Sequence, residues 1–198
     1  PFLMFLIIVM TLKKDNPKRS KFNTIGLSVS STYLLLTLIF KWISFQEFKE
    51  GLENQEIEYV EIDTKPSPLN SILWSSLIET DKGYRTAYYS LFDKQEITYS
   101  KEFLKNHHLL EPYLEQKVIK QLIDISAGWY RIEEKNGKLL FWDLRFGQMG
   151  MDVNNASFLW YYELNIEENG NVSAIKRQPE IKNFKLIFKE LFNRITGN

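Results

Sequence analysis

Residues 128–147 read GWYRIEEKNGKLLFWDLRFG, and the Asn136-Gly137 pair inside them decides how the second half of the chain folds. Both central residues of a two-residue type I′ turn need positive φ, which Asn and Gly tolerate best. Residues 128–134 and 138–146 are therefore predicted as the strands of a hairpin. The same arrangement recurs downstream, where residues 158–167 and 172–177 flank Asn169-Gly170. Two tight hairpins predict a mainly antiparallel sheet.

Working outward, EIEYVEIDT (residues 56–64) alternates apolar and polar residues and predicts another strand. Pro66 and Pro68 break the chain after it. Strand-like runs follow at 71–80 and 84–91, joined by the turn Asp81-Lys82-Gly83, with a short one at 96–100. A helix is predicted over 110–126, with Leu114, Val118, Ile119, Leu122 and Ile125 at helical spacing, Pro112 in its first turn and Gly128 ending it. A last amphipathic helix over 181–195 puts Phe184, Ile187, Phe188, Leu191 and Phe192 on one face. The expected fold class is α+β, a mainly antiparallel sheet domain with two or three helices over residues 44–198.

The first 43 residues differ in kind. NTIGLSVSSTYLLLTLIF (residues 23–40) holds 18 residues without a charge. At about 1.5 Å rise per residue, roughly 20 residues cross the hydrocarbon of a bilayer. Lys41 and Trp42 suit the interface at its far end. The alternative is a buried helix of a soluble protein, which seldom runs this long without a polar face. Residues 1–12, PFLMFLIIVMTL, are apolar but too short to cross, and read as the last half of a cut span, which makes the chain a fragment. Between the runs lies KKDNPKRSK (residues 13–21), with five Lys or Arg and one Asp. Short cationic loops stay in the cytoplasm, so residues 44–198 are expected outside it, at a bacterial inner membrane. FQEFKEGLEN (residues 45–54) continues the helix, with Gly51 and Asn54 weakening it.

Composition supports that division. The chain has 198 residues and zero formal charge, but residues 1–43 carry +5 and the remainder −5. A mildly acidic body lacks the cationic face that nucleic acid requires, so the lipid bilayer is the expected partner and nucleic acid is not. Cysteine is absent, which removes disulfides, thiolate metal sites and a Cys nucleophile.

Catalytic signatures are sparse. The motifs HExxH and GxSxG and the phosphate-binding glycine loops are absent. His107 and His108 are adjacent and diverge on any regular element, so they read as surface residues of a loop. Residues 147–150 (GQMG) read as a flexible connection. The sequons at Asn155 and Asn171 are short enough to arise by chance.

Two polar constellations stand out. KPSPLNSILW holds Asn70 and Trp74 behind two prolines, and Asn70 there suits a turn cap. In FWDLRFG, Asp143 and Arg145 share one strand face while Trp142 and Leu144 take the other. Such a pair either braces a loop or binds a polar ligand.

The pattern Pro-x-Pro-x-Asn-x-x-x-Trp at residues 66–74, then ETDKGYRTAYYSLFD (79–93) and WDLRFG (142–147), behind an apolar span, resembles the inner-membrane-associated metal-dependent hydrolases also described as LexA-binding. The resemblance covers roughly residues 25–172. It implies a divalent metal held by His and Asp of membrane segments that this chain does not contain, so no metal site and no hydrolysis are expected here. It carries over only Asn70, Trp74, Asp143 and Arg145, as candidate site residues without assigned roles. The soluble domain is then accessory to a metal site acting on a small molecule or an envelope substrate. The alternative is a non-catalytic extracytoplasmic domain that senses a ligand or binds an envelope partner.

The cationic loop makes a direct prediction about sidedness. Alkaline phosphatase fused after Asn198 should be active. An inactive fusion, with a cytoplasmic reporter active at the same position, overturns the topology.

Overall fold

A computed structural model describes all residues except 1, 14, 15, 156, 168, 169, 181–183 and 198. The chain divides into two units, Pro1–Ile43 and Ser44–Asn198. In the first unit, α1 (Phe2–Thr11) is followed by the start of α2 (Lys18–Asn54). Helix α1 crosses α2 at Gly26, where an added Cβ would lie 2.7 Å from the Phe5 Cβ. The cationic stretch is not a loop throughout. Asn16 Oδ1 accepts the Lys18 amide at 2.9 Å, and Pro17 stands just ahead of the helix, so Lys18, Arg19 and Lys21 lie on its first turns.

Helix α2 is long and apolar enough to cross a membrane. Leu34, Leu35 and Leu38 along it are all exposed, as a core helix of a soluble protein would not leave them. Its end is a Schellman turn. Glu56 takes φ 53°, and the Ile57 amide donates to the Leu52 carbonyl at 2.9 Å. That turn uses residues predicted as strand, so the first strand starts later, at Glu61.

The second unit is an α+β domain built on two four-stranded antiparallel sheets. The first comprises β1 (Glu61–Pro66), β2 (Leu73–Glu79), β3 (Gly83–Ser90) and β4 (Phe103–Leu104), in sequence order. The second comprises β5 (Tyr130–Lys135), β6 (Lys138–Gln148), β7 (Phe158–Ile166) and β8 (Val172–Arg177), also in order. The Asn136-Gly137 turn forms as predicted, with φ 53° and 73°. Asn169 of the second turn lies outside the described residues, though Gly170 has φ 83° and β7 pairs with β8. The run at 96–100 is not a strand: Tyr99 makes one isolated bridge to Ala87.

The two sheets share an interior. Leu77, Tyr84 and Phe103 of the first meet Leu140, Trp142, Leu144 and Phe158 of the second. The rings of Phe103 and Phe158 lie edge to face, 5.9 Å apart. On the outer face of the first sheet, the end of α2 packs through Phe48 and Leu52, both fully buried. Tyr99 Oη donates to the Phe48 carbonyl at 2.6 Å, and Gly51 leaves the room that hydroxyl needs.

The outer face of the second sheet is covered by helices. The predicted helix over 110–126 is two pieces, a 3₁₀ turn at His107–Tyr113 and α3 (Lys117–Ser126). Leu110, Ile119 and Leu122 pack there on Tyr130, Ile132, Phe141 and Leu164. His107 is therefore not a surface loop residue. Its ring stacks on Tyr130 at 4.0 Å, Tyr130 stacks on Phe141 at 4.6 Å, and its Nε2 donates to the Tyr130 carbonyl at 2.8 Å. The last helix, α4 (Phe184–Ile195), packs through Leu191 on Leu73 and Tyr88; predicted residues 181–183 lie outside the described residues. Phe192, expected on that apolar face, is 64% exposed.

Burial holds the His107 imidazole below its usual range, against the opposing pull of its bond to Tyr130. The unfolded chain takes up this proton near pH 6.5, the folded chain only at lower pH. Stability is thus present above about pH 6.5 and declines as pH falls from there to the folded value. Thermal unfolding between pH 7.5 and 5 should show a declining midpoint, and His107→Phe, which keeps the stack, should flatten that decline. An unchanged slope refutes the assignment.

Candidate functional site

The four residues singled out by sequence separate into two kinds. Asn70 sits in the β1–β2 connection, where its Oδ1 accepts the amides of Ile72 at 3.0 Å and Leu73 at 2.7 Å. Its Nδ2 donates to the Pro68 carbonyl at 3.1 Å. Trp74 is 2% exposed, pairs with Pro66 in the β ladder and donates its indole N–H to the Ser71 carbonyl at 3.1 Å. Both are absorbed in shaping one connection. Their effect is to place Ser67 and Pro68.

Asp143 and Arg145 do meet. Arg145 Nε and Nη2 donate to the two carboxylate oxygens of Asp143 at 3.0 and 2.7 Å, and the Arg145 amide adds a third bond at 3.2 Å. Asp143 is 2% exposed, whereas the Arg145 side chain is 28% exposed. The hydrogen-bonded carboxylate holds the guanidinium above its usual range. Just past Asp143 the register with β7 slips, and Gly147 takes φ 78°. This bulge turns Arg145 and Phe146 away from the ladder, with the guanidinium 5.3 Å from the Phe146 ring centre.

The bulge borders a cavity of about 480 Å³. One wall is the inner face of β1–β3, with Asp63, Lys65, Leu77, Thr86 and Tyr88. The facing wall is Leu144–Gln148, the connection after it, and Phe158. Helix α4 closes it with Phe184, Ile187, Phe188 and Leu191. The two sequence constellations come together here through Lys65, which pairs with Asp63 and donates to the Arg145 carbonyl at 3.2 Å. Neither Asn70 nor Trp74 lines the cavity.

The polar groups along these walls mostly satisfy one another. Thr86 Oγ1 donates to Gln148 Oε1 at 2.8 Å, and Gln148 Nε2 donates to the Val153 carbonyl at 3.0 Å. Tyr88, pushed up to about 12 by burial, donates its hydroxyl to the Gly150 carbonyl at 3.2 Å. The connection read as flexible is thus pinned at several points, including the Met149 amide to the Ser157 carbonyl at 2.8 Å. Asn155 of the first sequon spends its side chain on the Met149 carbonyl and the Ser157 amide. Sequence reasoning missed this connection and α4 as cavity walls. The apolar face of α4 was a signal, but nothing local said what it would cover.

Among the described residues, no group of three or more His, Cys, Asp or Glu side chains converges as a metal site. The described residues therefore offer no ligand set for a divalent metal. Comparison with protein-family models, curated proteins and solved structures finds no match. The cavity is mostly apolar, and its volume lies in the range of small-molecule sites.

Removing either partner of the ion pair should destabilise the domain, and unequally. Arg145→Ala leaves a buried carboxylate uncompensated, at about 3–5 kcal/mol. Asp143→Asn leaves a guanidinium that reaches water, and should cost clearly less. Denaturant unfolding of both singles and the double variant checks this. Equal or additive losses refute the coupling.

Proposed function

We propose that Ser44–Asn198 is a non-catalytic ligand-binding domain, held by α2 at a bacterial inner membrane on its extracytoplasmic side. The observation that carries this reading is the cavity of about 480 Å³ with its apolar roof of Phe184, Ile187, Phe188 and Leu191. Its volume lies in the range of small-molecule sites, and such sites join apolar walls to a few placed polar groups. The reactive side chains around it argue for binding over chemistry. Tyr88 is kept protonated by burial, Asp143 is committed to Arg145, and Thr86 to Gln148. The sidedness rests on the five cations between the two apolar runs. The hydrolase resemblance is compatible with the same role, the domain then being accessory to a metal site outside it.

The absence of cysteine makes the test direct. In the full chain in lipid nanodiscs, Phe188→Cys supplies a single thiol on the cavity roof, and Lys101→Cys supplies an exposed control. Dodecanol should slow the reaction of the first thiol with a polar maleimide several-fold and leave the second unchanged. Equal rates with and without dodecanol refute an apolar site.

A further inference from the structure

Resting on the membrane reading of α2, we infer that one end of the second unit is itself a lipid-contacting surface, through which Leu69, Phe92 and Phe192 enter the interfacial layer of the bilayer. The strands of the first sheet define that end. Pro66 pairs with Trp74 and Leu73 with Ser90, so the β1–β2 connection and the chain leaving β3 share it. Leu69 lies in the first and Phe92 in the second. The last turns of α4 are fixed at the same end, where Arg194 binds Asp93 and the Tyr88 carbonyl and Ser90 binds the Ile195 carbonyl. There Leu69 is 89% exposed, Phe92 56% and Phe192 64%. A single exposed apolar side chain is ordinary, but three gathered at one end of a sheet mark a contact surface. The opposite end, around the β2–β3 turn, is mostly charged, with Glu58, Glu61, Asp81 and Lys82 exposed.

Within the second unit, α2 runs from the apolar end toward the charged one. The Phe48 ring meets Tyr89 edge to face at 6.1 Å, one residue before Ser90. The chain leaving α2 emerges at the other end, where the Val60 amide donates to the Glu79 carbonyl at 2.7 Å. Trp42 suits the bilayer interface, and Ser44, which opens the second unit, is already fully buried. Two residues of chain span at most about 7 Å, so the apolar end is tethered close to the lipid. Leu69 carries a further mark. Its φ of 64° is a left-handed conformation that Gly or Asn takes more readily, and the bonds of Asn70 to Pro68, Ile72 and Leu73 brace the turn around it. A strained apolar side chain at a braced tip adds almost no burial to the domain, so its use lies outside it. Lys94 and Lys189 are balanced here by Glu47 and Glu96, all exposed, so the contact is apolar insertion and does not require anionic lipid.

The chain has no cysteine, so single thiols report each position. Leu69→Cys, Phe92→Cys, Lys82→Cys and Leu34→Cys, each in the full chain and labelled with the fluorophore NBD, are placed in phosphatidylcholine nanodiscs with or without lipid carrying a nitroxide on its acyl chain. Phe192→Cys replaces either of the first two if it fails to fold. The nitroxide should quench most of the NBD emission at Leu69→Cys and Phe92→Cys, as at Leu34→Cys within the apolar run, and leave Lys82→Cys bright. Quenching at Leu69→Cys or Phe92→Cys no stronger than at Lys82→Cys overturns the surface, while the membrane reading stands on Leu34→Cys. A blue-shifted label that the nitroxide lipid does not quench puts protein on the patch and overturns the lipid contact. An unquenched label at Leu34→Cys overturns the membrane reading and this surface with it.

Discussion

Strand β6 is covered on both faces, and that constraint organises the second unit. Trp142 and Leu144 face the first sheet, while Phe141 faces the helices on the other side. Strands of antiparallel sheets commonly leave one face to water. Here neither face is available, so every residue from Phe141 to Leu144 must be apolar or neutralised. Each fully buried large side chain contributes about 1.5–3 kcal/mol, which is why Trp142 and Phe141 can dominate the packing. Asp143 is the exception on this strand, and a lone buried carboxylate would cost several kcal/mol. Arg145, two residues on and on the same face, is the compensation.

That local solution shapes the cavity. Past Asp143 the β6–β7 register slips, the strand bulges, and the two walls part. A bulge re-aims side chains that regular pairing would bury. Helix α4 then covers the gap. Its far end is pinned by a bidentate pair, Arg194 to Asp93 with both N···O distances 2.6 Å, and by Ser90 Oγ donating to the Ile195 carbonyl at 2.7 Å. Leu191 is buried beside this anchor, while Phe184 at the other end is 60% exposed. The roof is thus firmly held at one end and partly solvated at the other.

The proposed function rests on which groups are already committed. Most polar side chains on the walls have a partner within the domain, which leaves shape and apolar surface as the features a ligand of the proposed kind would meet. The residues that looked most motif-like, Asn70 and Trp74, serve the backbone of one connection, and their contribution to the cavity is the position of Ser67 and Pro68.

Several features were readable from the chain alone because their causes are local. Asn136-Gly137 dictates its turn through positive φ, whatever surrounds it. The uncharged run at residues 23–40 makes a helix long enough to cross a membrane, and the two-residue spacing of Asp143 and Arg145 puts them on one face. Features set by distant partners were not readable. The division into two sheets depends on which strands fail to pair, as at residues 96–100, and no periodicity encodes that. The helix over 110–126 broke in two because His107 and Leu110 are held against the second sheet, and the His107 ring is half-buried because Tyr130 lies under it. Phe188 and Phe192 read alike on the apolar face of α4, yet only Phe188 meets the cavity. Local stereochemistry and hydrophobicity act through the residue itself and its near neighbours, so sequence carries them. Which surfaces meet is decided by contacts between residues far apart in the chain, and only the tertiary structure supplies those.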